Sequence, residues 1–359
     1  MLAAFARKAL SPLLVSAGAR FDVAAVRLAQ EVSKRGSRRV QSVDDRLHYL
    51  DGVAARYADV DPAAFYSAPA LPHVREHHVR PLTLGEVVDL TYPSGFHPHD
   101  AAQAERFAKW RANHFAHVRL FRGKRPGRPV IVCIHGYRAG AFGFEERSFA
   151  AEWLYGLGLD VALFTLPFHA LRAPEGRKGA PLFPTADVGR TIEAFGQAIH
   201  DLRALMAHLR SDDPGRAVGV MGMSLGGYTT SLLATIESSL SFAIPFIPLS
   251  DMTDVVVQHE ALRGTAVPAS LVTAGKRAMT LARPLARASM LPSDRVLVIG
   301  AEGDRITPRT HAEALAAHFG SEIVFFPGAH LLQFGRGEAF GRIARFLAAR
   351  GLVGGRRKE

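Results

Sequence analysis

The chain has 359 residues, 48% hydrophobic and 21% charged. That is enough apolar material for a sizeable core and too much for a disordered polymer. The formal charge of +11 favours anionic surfaces or substrates, but no zinc-finger spacing or RNA-binding signature accompanies it, so no nucleic-acid partner is expected.

The N-terminal residues mix apolar side chains with Arg7 and Lys8, and Arg20 and Arg27 interrupt the next stretch. No run approaches the roughly 20 apolar residues that span a bilayer. A secretory leader would set its charge first and a clean apolar block after it. The expectation is a soluble, cytoplasmic protein whose basic N-terminal helices allow peripheral membrane contact. Residues 1–80 read as a helical segment packed on the main domain: Phe21, Ala25, Leu28 and Val32 recur at helical spacing, as do Val43, Leu47, Leu50, Ala54 and Tyr57. Asp61-Pro62 and Leu71-Pro72 are breaks, and His73, His77 and His78 fall in a solvated loop without metal-ligand spacing.

From residue 84 the pattern changes to strands. Glu86–Tyr92 alternates, and His117–Arg122 forms a second strand. Val130–Ile134 is apolar throughout, as in a sheet covered on both faces. It holds the single cysteine, Cys133, which excludes an intramolecular disulfide, suits a reducing compartment and reads as a small core residue. A helix over Glu145–Tyr155 precedes a strand over Asp160–Leu166. Residues 167–188 are a long Pro- and Gly-rich loop, and Ile192, Phe195, Ile199, Leu202, Met206 and Leu209 stripe one helix. Further strands are expected at Phe242–Ile247, Arg295–Gly300 and Glu322–Phe326. Residues 252–292 form a helical insertion over the site, read as a lid over an acyl site, with core-covering helices as the other reading. Phe340, Ile343 and Leu347 mark a final helix stopped at Gly351, and residues 351–359 form a basic tail. No internal repeat is present. Alternating strands and helices over 84–350 predict a doubly wound, mostly parallel α/β sheet, with ligands beyond the strand carboxyl ends.

Gly222-Met223-Ser224-Leu225-Gly226 lies between an apolar strand and a helix start. This is the G-x-S-x-G form that projects a serine hydroxyl from a strained turn. Serine is a poor nucleophile unless a base, itself oriented by a carboxylate, takes its proton. Asp304, in Gly300-Ala301-Glu302-Gly303-Asp304, and His330, in Pro327-Gly328-Ala329-His330, follow in that order, each just past a strand. Asp251 is the rival acid, with Asp251 or Asp254 as helix caps in the other reading. His311 and His318 fall on a helix and read as solvated. His135 reads as a structural hydrogen-bonder. Arg138 is a candidate for an anionic group. His169 and Arg172 either touch substrate or stabilise their loop.

Together with Ile134-His135-Gly136-Tyr137, these motifs make residues 84–350 resemble the α/β-hydrolase superfamily, nearest the dienelactone-hydrolase and peptidase-like esterase branch and the abhydrolase-domain proteins. Dienelactone hydrolases share this layout with a cysteine nucleophile, and Ser224 takes that position here. The resemblance implies Ser224 as nucleophile, His330 as general base and Asp304 as its orienting acid. It also implies an oxyanion hole from the backbone N–H groups of Tyr137 and Leu225, with no metal or organic cofactor. The expected activity is cleavage of a carboxylic ester, with a small-molecule or lipid acyl substrate. Thioester, amide or peptide cleavage on the same triad, lipid acyl hydrolysis at a membrane, and a catalytically silent binding protein are the alternatives.

Overall fold

The computed structural model describes residues 12–26, 42–177, 179–261 and 264–354. Leu28 and Val32 of the first predicted stripe, and the tail from residue 355, lie outside the described residues. Helix α1 covers residues 12–26. Helix α2 (Val43–Tyr57) opens with a capping box in which Ser42 and Asp45 satisfy each other's backbone N–H groups. Its buried face is Leu50, Val53 and Tyr57, so Val43 of the predicted stripe is exposed and Val53 takes its place. A short helix α3 (Pro62–Phe65) follows.

The expectation that residues up to 80 are helical fails at its end. Arg75–Leu82 is strand β1, paired antiparallel with β2 (Gly85–Pro93). Its alternation is hidden because only the edge-strand backbone is used and most of its side chains are solvated. His78, expected in a loop, lies on this strand 3.1 Å from Glu86. Helix α4 (Ala101–Ala108) leads to β3 (Phe115–Gly123), which pairs antiparallel with β2.

The remaining strands are β4 (Val130–Ile134), β5 (Asp160–Phe164), β6 (Val218–Met223), β7 (Ala243–Phe246), β8 (Leu297–Ala301) and β9 (Glu322–Phe326). The nine-stranded sheet runs β1-β2-β3-β5-β4-β6-β7-β8-β9, antiparallel through the first four and parallel from β5 to β9. Alternate residues of the buried strands feed opposite faces. Val130, Val132 and Ile134 enter one core; Ile131 and Cys133 enter the other. Burial pushes the Cys133 thiol far above its ordinary value, which leaves it inert.

The predicted helix at 145–155 is two helices, α5 (Phe142–Ser148) and α6 (Ala151–Gly156). Ala150 breaks it with a φ of 49°. Helices α7 (Val188–Leu209) and α8 (Leu225–Ala234) pack on the face whose core contains Val218, Val220 and Tyr228. The insertion holds α9 (Met252–Ala261) and α10 (Ala269–Ala278). Ala274, Ala278, Leu281 and Ala282 are buried in that same core, and Tyr228 Oη donates to the Ala282 carbonyl at 2.8 Å. This half of the insertion covers the core, the other of its two readings, and is not a lid. Helices α11 (Arg309–Phe319) and α12 (Arg336–Ala348) complete the described chain. None of the described helices is long and apolar enough to cross a membrane.

Candidate active site

The site is assembled at the carboxyl ends of β4, β6, β8 and β9. Ser224 sits between β6 and α8 with φ 55° and ψ −113°, a conformation a side chain rarely takes. The flanking glycines allow it. A Cβ on Gly222 would fall 2.0 Å from the Gly226 carbonyl oxygen, and one on Gly226 would fall 1.9 Å from that of Ile134.

Ala301 pairs with Phe326 in parallel register, so the segments carrying Asp304 and His330 leave the sheet side by side. His330 Nε2 lies 3.0 Å from Ser224 Oγ, and His330 Nδ1 lies 2.8 Å from Asp304 Oδ2. Asp304 Oδ1 accepts the backbone N–H groups of Ile306 and Thr307 at 2.9 and 2.7 Å, which fixes the carboxylate. Burial by itself would push the His330 imidazole down. The charge and hydrogen bond of Asp304, with the charge of Asp22 behind it, outweigh burial and hold it above the ordinary histidine value.

The rival acid is elsewhere. Asp251 is buried, accepts the backbone N–H of Thr253 at 2.8 Å and pairs with Arg283 at 2.8 Å, while Asp254 pairs with Lys276. Asp304 alone of these three carboxylates meets His330.

Gly136 packs against Ser224, since a Cβ there would lie 3.5 Å from Ser224 Cβ. Tyr137 follows it. Among the described residues, the backbone N–H groups of Tyr137 and of Leu225, the first residue of α8, donate to no group of the chain. Such free donors suit a developing oxyanion. His135 is buried: Nδ1 donates to the Gly136 carbonyl at 2.7 Å and Nε2 accepts the Leu166 N–H at 3.0 Å. Burial pushes its pKa down to about 3, so it is a neutral strut.

Three candidate substrate contacts separate. Arg138 is exposed, with φ 64°, and lines a cleft of about 250 Å³ with Arg177, Phe168 and Ala170. Arg172 is 0% exposed. Its guanidinium pairs with Asp201 at 2.7 Å and donates to the carbonyls of Thr165 and Asn113. It is a loop strut, the second of its two readings, and not a substrate contact. His169 is 1% exposed, its ring beside those of His135, Tyr137 and Phe183, with Nδ1 donating to the Pro167 carbonyl. Burial pushes it down to about 4, so it is neutral packing behind Tyr137 and not a surface that meets substrate. His311, read as solvated, is also buried and hydrogen-bonded to Ser250 and Gln258.

Three site residues escaped the sequence reading. Thr307 Oγ1 lies 2.9 Å from Asp304 Oδ2 and 3.1 Å from the Ile247 carbonyl oxygen; the Asp-x-x-Thr spacing was its available signal. Glu145 on α5 accepts the Gly140 N–H at 2.7 Å and so braces the turn after β4. Asp22 on α1 accepts the backbone N–H of His330 at 2.9 Å, and nothing local in its sequence announces this.

Strand order, elbow and strand-end histidine define the α/β-hydrolase class. The whole-chain likeness agrees: the acetyl xylan esterase from Paenibacillus sp. R4 superposes with a TM-score of 0.53 at 16% identity, over 86% of this chain and 96% of that one. The profile of the family described as "Alpha/beta hydrolase domain containing 18" matches residues 104–273. The uncharacterized protein Rv2627c of Mycobacterium tuberculosis H37Rv is 31% identical over 275 residues, 75% of this chain. A protein of M. tuberculosis CDC 1551 matches to the same extent. The chain spans 66% of the length of these relatives. The chain has the α/β-hydrolase fold.

Proposed function

We propose that this protein is a serine hydrolase that cleaves a carboxylic ester through an acyl-enzyme. The observation that carries the reading is the chain of contacts from Ser224 Oγ to His330 Nε2 at 3.0 Å and from His330 Nδ1 to Asp304 Oδ2 at 2.8 Å. Ser224 Oγ attacks the ester carbonyl as His330 Nε2 takes its proton. The negative charge on the former carbonyl oxygen is met by the N–H groups of Tyr137 and Leu225, each such donor worth about 2.7–4 kcal/mol. Asp304 stabilises the imidazolium and holds the tautomer that presents Nε2 as acceptor. Collapse of the intermediate expels the alkoxide, which leaves as the alcohol with the proton from His330. Water then attacks the acyl-enzyme with His330 again as base, which releases the acid and restores Ser224.

The cleft that Arg138 lines, one residue past Tyr137, supports an anionic preference as part of this reading. Arg138 and Arg177 both line it, and Arg177 Nε donates to the Ala180 carbonyl at 3.2 Å. A carboxylate on the acyl or alcohol portion would meet these guanidinium groups. The test of the reaction class is labelling of the purified protein with a fluorophosphonate probe. Labelling of wild type that disappears in Ser224→Ala is the expected result. Absence in wild type, or persistence in the variant, overturns the reading.

A further inference from the structure

The two loops that carry Asp304 and His330 are tied together from outside the sheet. Asp22, on α1, is 0% exposed, and its carboxylate accepts three backbone N–H groups. Oδ2 accepts from His330 at 2.9 Å and from Arg305 at 3.2 Å; Oδ1 accepts from Leu331 at 3.1 Å. Arg305 directly follows Asp304, and Leu331 directly follows His330. One carboxylate therefore spans the backbone of the acid loop and of the base loop.

The packing of α1 is built for this approach. A Cβ on Gly18 would fall 2.7 Å from Ala329 Cβ, immediately before His330, so the helix can come this close only with glycine at that place. The carbonyl of Val15 lies against Gly303, immediately before Asp304. Val15, Gly18 and Asp22 stand at i, i+3 and i+7, one face of a helix. That face meets both loops along its length.

We propose that Asp22 is a positioning residue of the hydrolase site: it sets the spacing of the acid and base loops and places a second negative charge behind the imidazole of His330. The inference rests on the serine-hydrolase reading for its consequence in turnover, and on contacts independent of that reading for its geometry. Burial pushes the Asp22 carboxyl above its ordinary value, and the three N–H donors, which favour the ionised form, offset part of that rise. The charged groups around it are Asp304 and His330 themselves, with Arg20, Glu302 and Arg305 at the adjoining surface cleft. The Asp22 charge favours the imidazolium that forms as Ser224 attacks. The Asp22 side chain itself reaches only backbone N–H groups, so it acts through His330.

The test uses the full chain and a readout that does not need turnover. Asp22→Asn keeps the shape and removes the charge, and its amide nitrogen would face one of the N–H groups. NMR titration of the His330 imidazole is expected to show a midpoint at lower pH in Asp22→Asn than in wild type. The fluorophosphonate labelling rate at Ser224 is expected to fall at least tenfold. A His330 midpoint that stays in place in the folded variant overturns the proposal, whatever the labelling rate. Wild type that fails to label overturns the hydrolase reading alone, because the titration still decides the role of Asp22. If the variant does not fold, hydrogen exchange on wild type decides. The amides of Arg305, His330 and Leu331 should exchange at the same slow rate as the interior amides of α1. Fast exchange of those three beside a protected α1 overturns the tie.

Discussion

His330 Nε2 lies 3.0 Å from Ser224 Oγ across 106 residues of sequence, and the parallel register of β8 with β9 brings Asp304 to the other side of the same imidazole. His330 comes from the loop after β9, at the edge of the sheet, and Ser224 from its centre, after β6. Between them, Asp304 and Thr307 close the far side of the imidazole.

Asp304→Asn tests the tautomer. Its Oδ1 would still accept from Ile306 and Thr307, leaving the amide nitrogen towards His330. An N–H there favours a proton on Nε2, where Ser224 needs an acceptor. The expected loss is about 10³–10⁴ in kcat with little change in KM. The acid limb of the pH–rate profile should also move. His330 is held above its ordinary value by Asp304, and the base works only when neutral, so activity rises as pH passes that raised value. Removing the charge lowers it and shifts the limb to lower pH. Steady-state kinetics between pH 5 and 9 would read both effects.

Arg138→Ala and Arg177→Ala test the anionic preference. Each should raise KM for an ester bearing a free carboxylate about fivefold, with neutral esters unaffected, as expected for about 1 kcal/mol per exposed charge contact. The comparison is KM for a hemiester against its methyl diester. Equal effects on the two would remove the preference.

Arg172→Met should destabilise the fold. Arg172 and Asp201 are both fully buried, and Asp201 would be left as an unpaired charge with Ser94 Oγ as one remaining donor. The expected loss is about 3–5 kcal/mol in urea unfolding. Adding Asp201→Leu should restore a large part of it, because the uncompensated charge goes with it.

Glu145 gives a pH-dependent stability. Burial pushes its carboxyl up to about 7, against the pull of the Gly140 N–H. Between the unfolded value of about 4.5 and about 7, the folded state holds more protons than the unfolded one. Stability from this group is therefore complete below the unfolded value and lost as pH rises through the folded one. Glu145→Gln keeps an oxygen for Gly140 and cannot ionise. Its melting temperature should exceed that of wild type at pH 8, by the equivalent of about 3 kcal/mol, and match it at about pH 4. Scanning calorimetry at the two pH values checks the sign.

Much of the architecture is legible in the residues themselves. The wholly apolar run Val130–Ile134 announces a buried parallel strand, and Gly222–Gly226 announces the turn that raises Ser224, because both depend on spacing within a few residues. The order Ser224, Asp304, His330 is equally plain. Strand β1 was not legible, since an edge strand with solvated side chains carries no alternation of burial. Nor was the break at Ala150, a residue whose type favours helix.

What the amino-acid order determines here is which segments become strands and helices and where along them a serine, an acid and a histidine stand, because period and turn chemistry are local. What the tertiary structure decides is which groups of similar chemistry are brought together. Asp304 meets His330, whereas Asp251 is taken by Arg283. Arg172 vanishes into the core while Arg138 stays at the surface. Asp22 reaches His330 across 308 residues. Carboxylates and guanidinium groups look alike in a sequence; burial and the partner that compensates it separate them, and both belong to the packed chain.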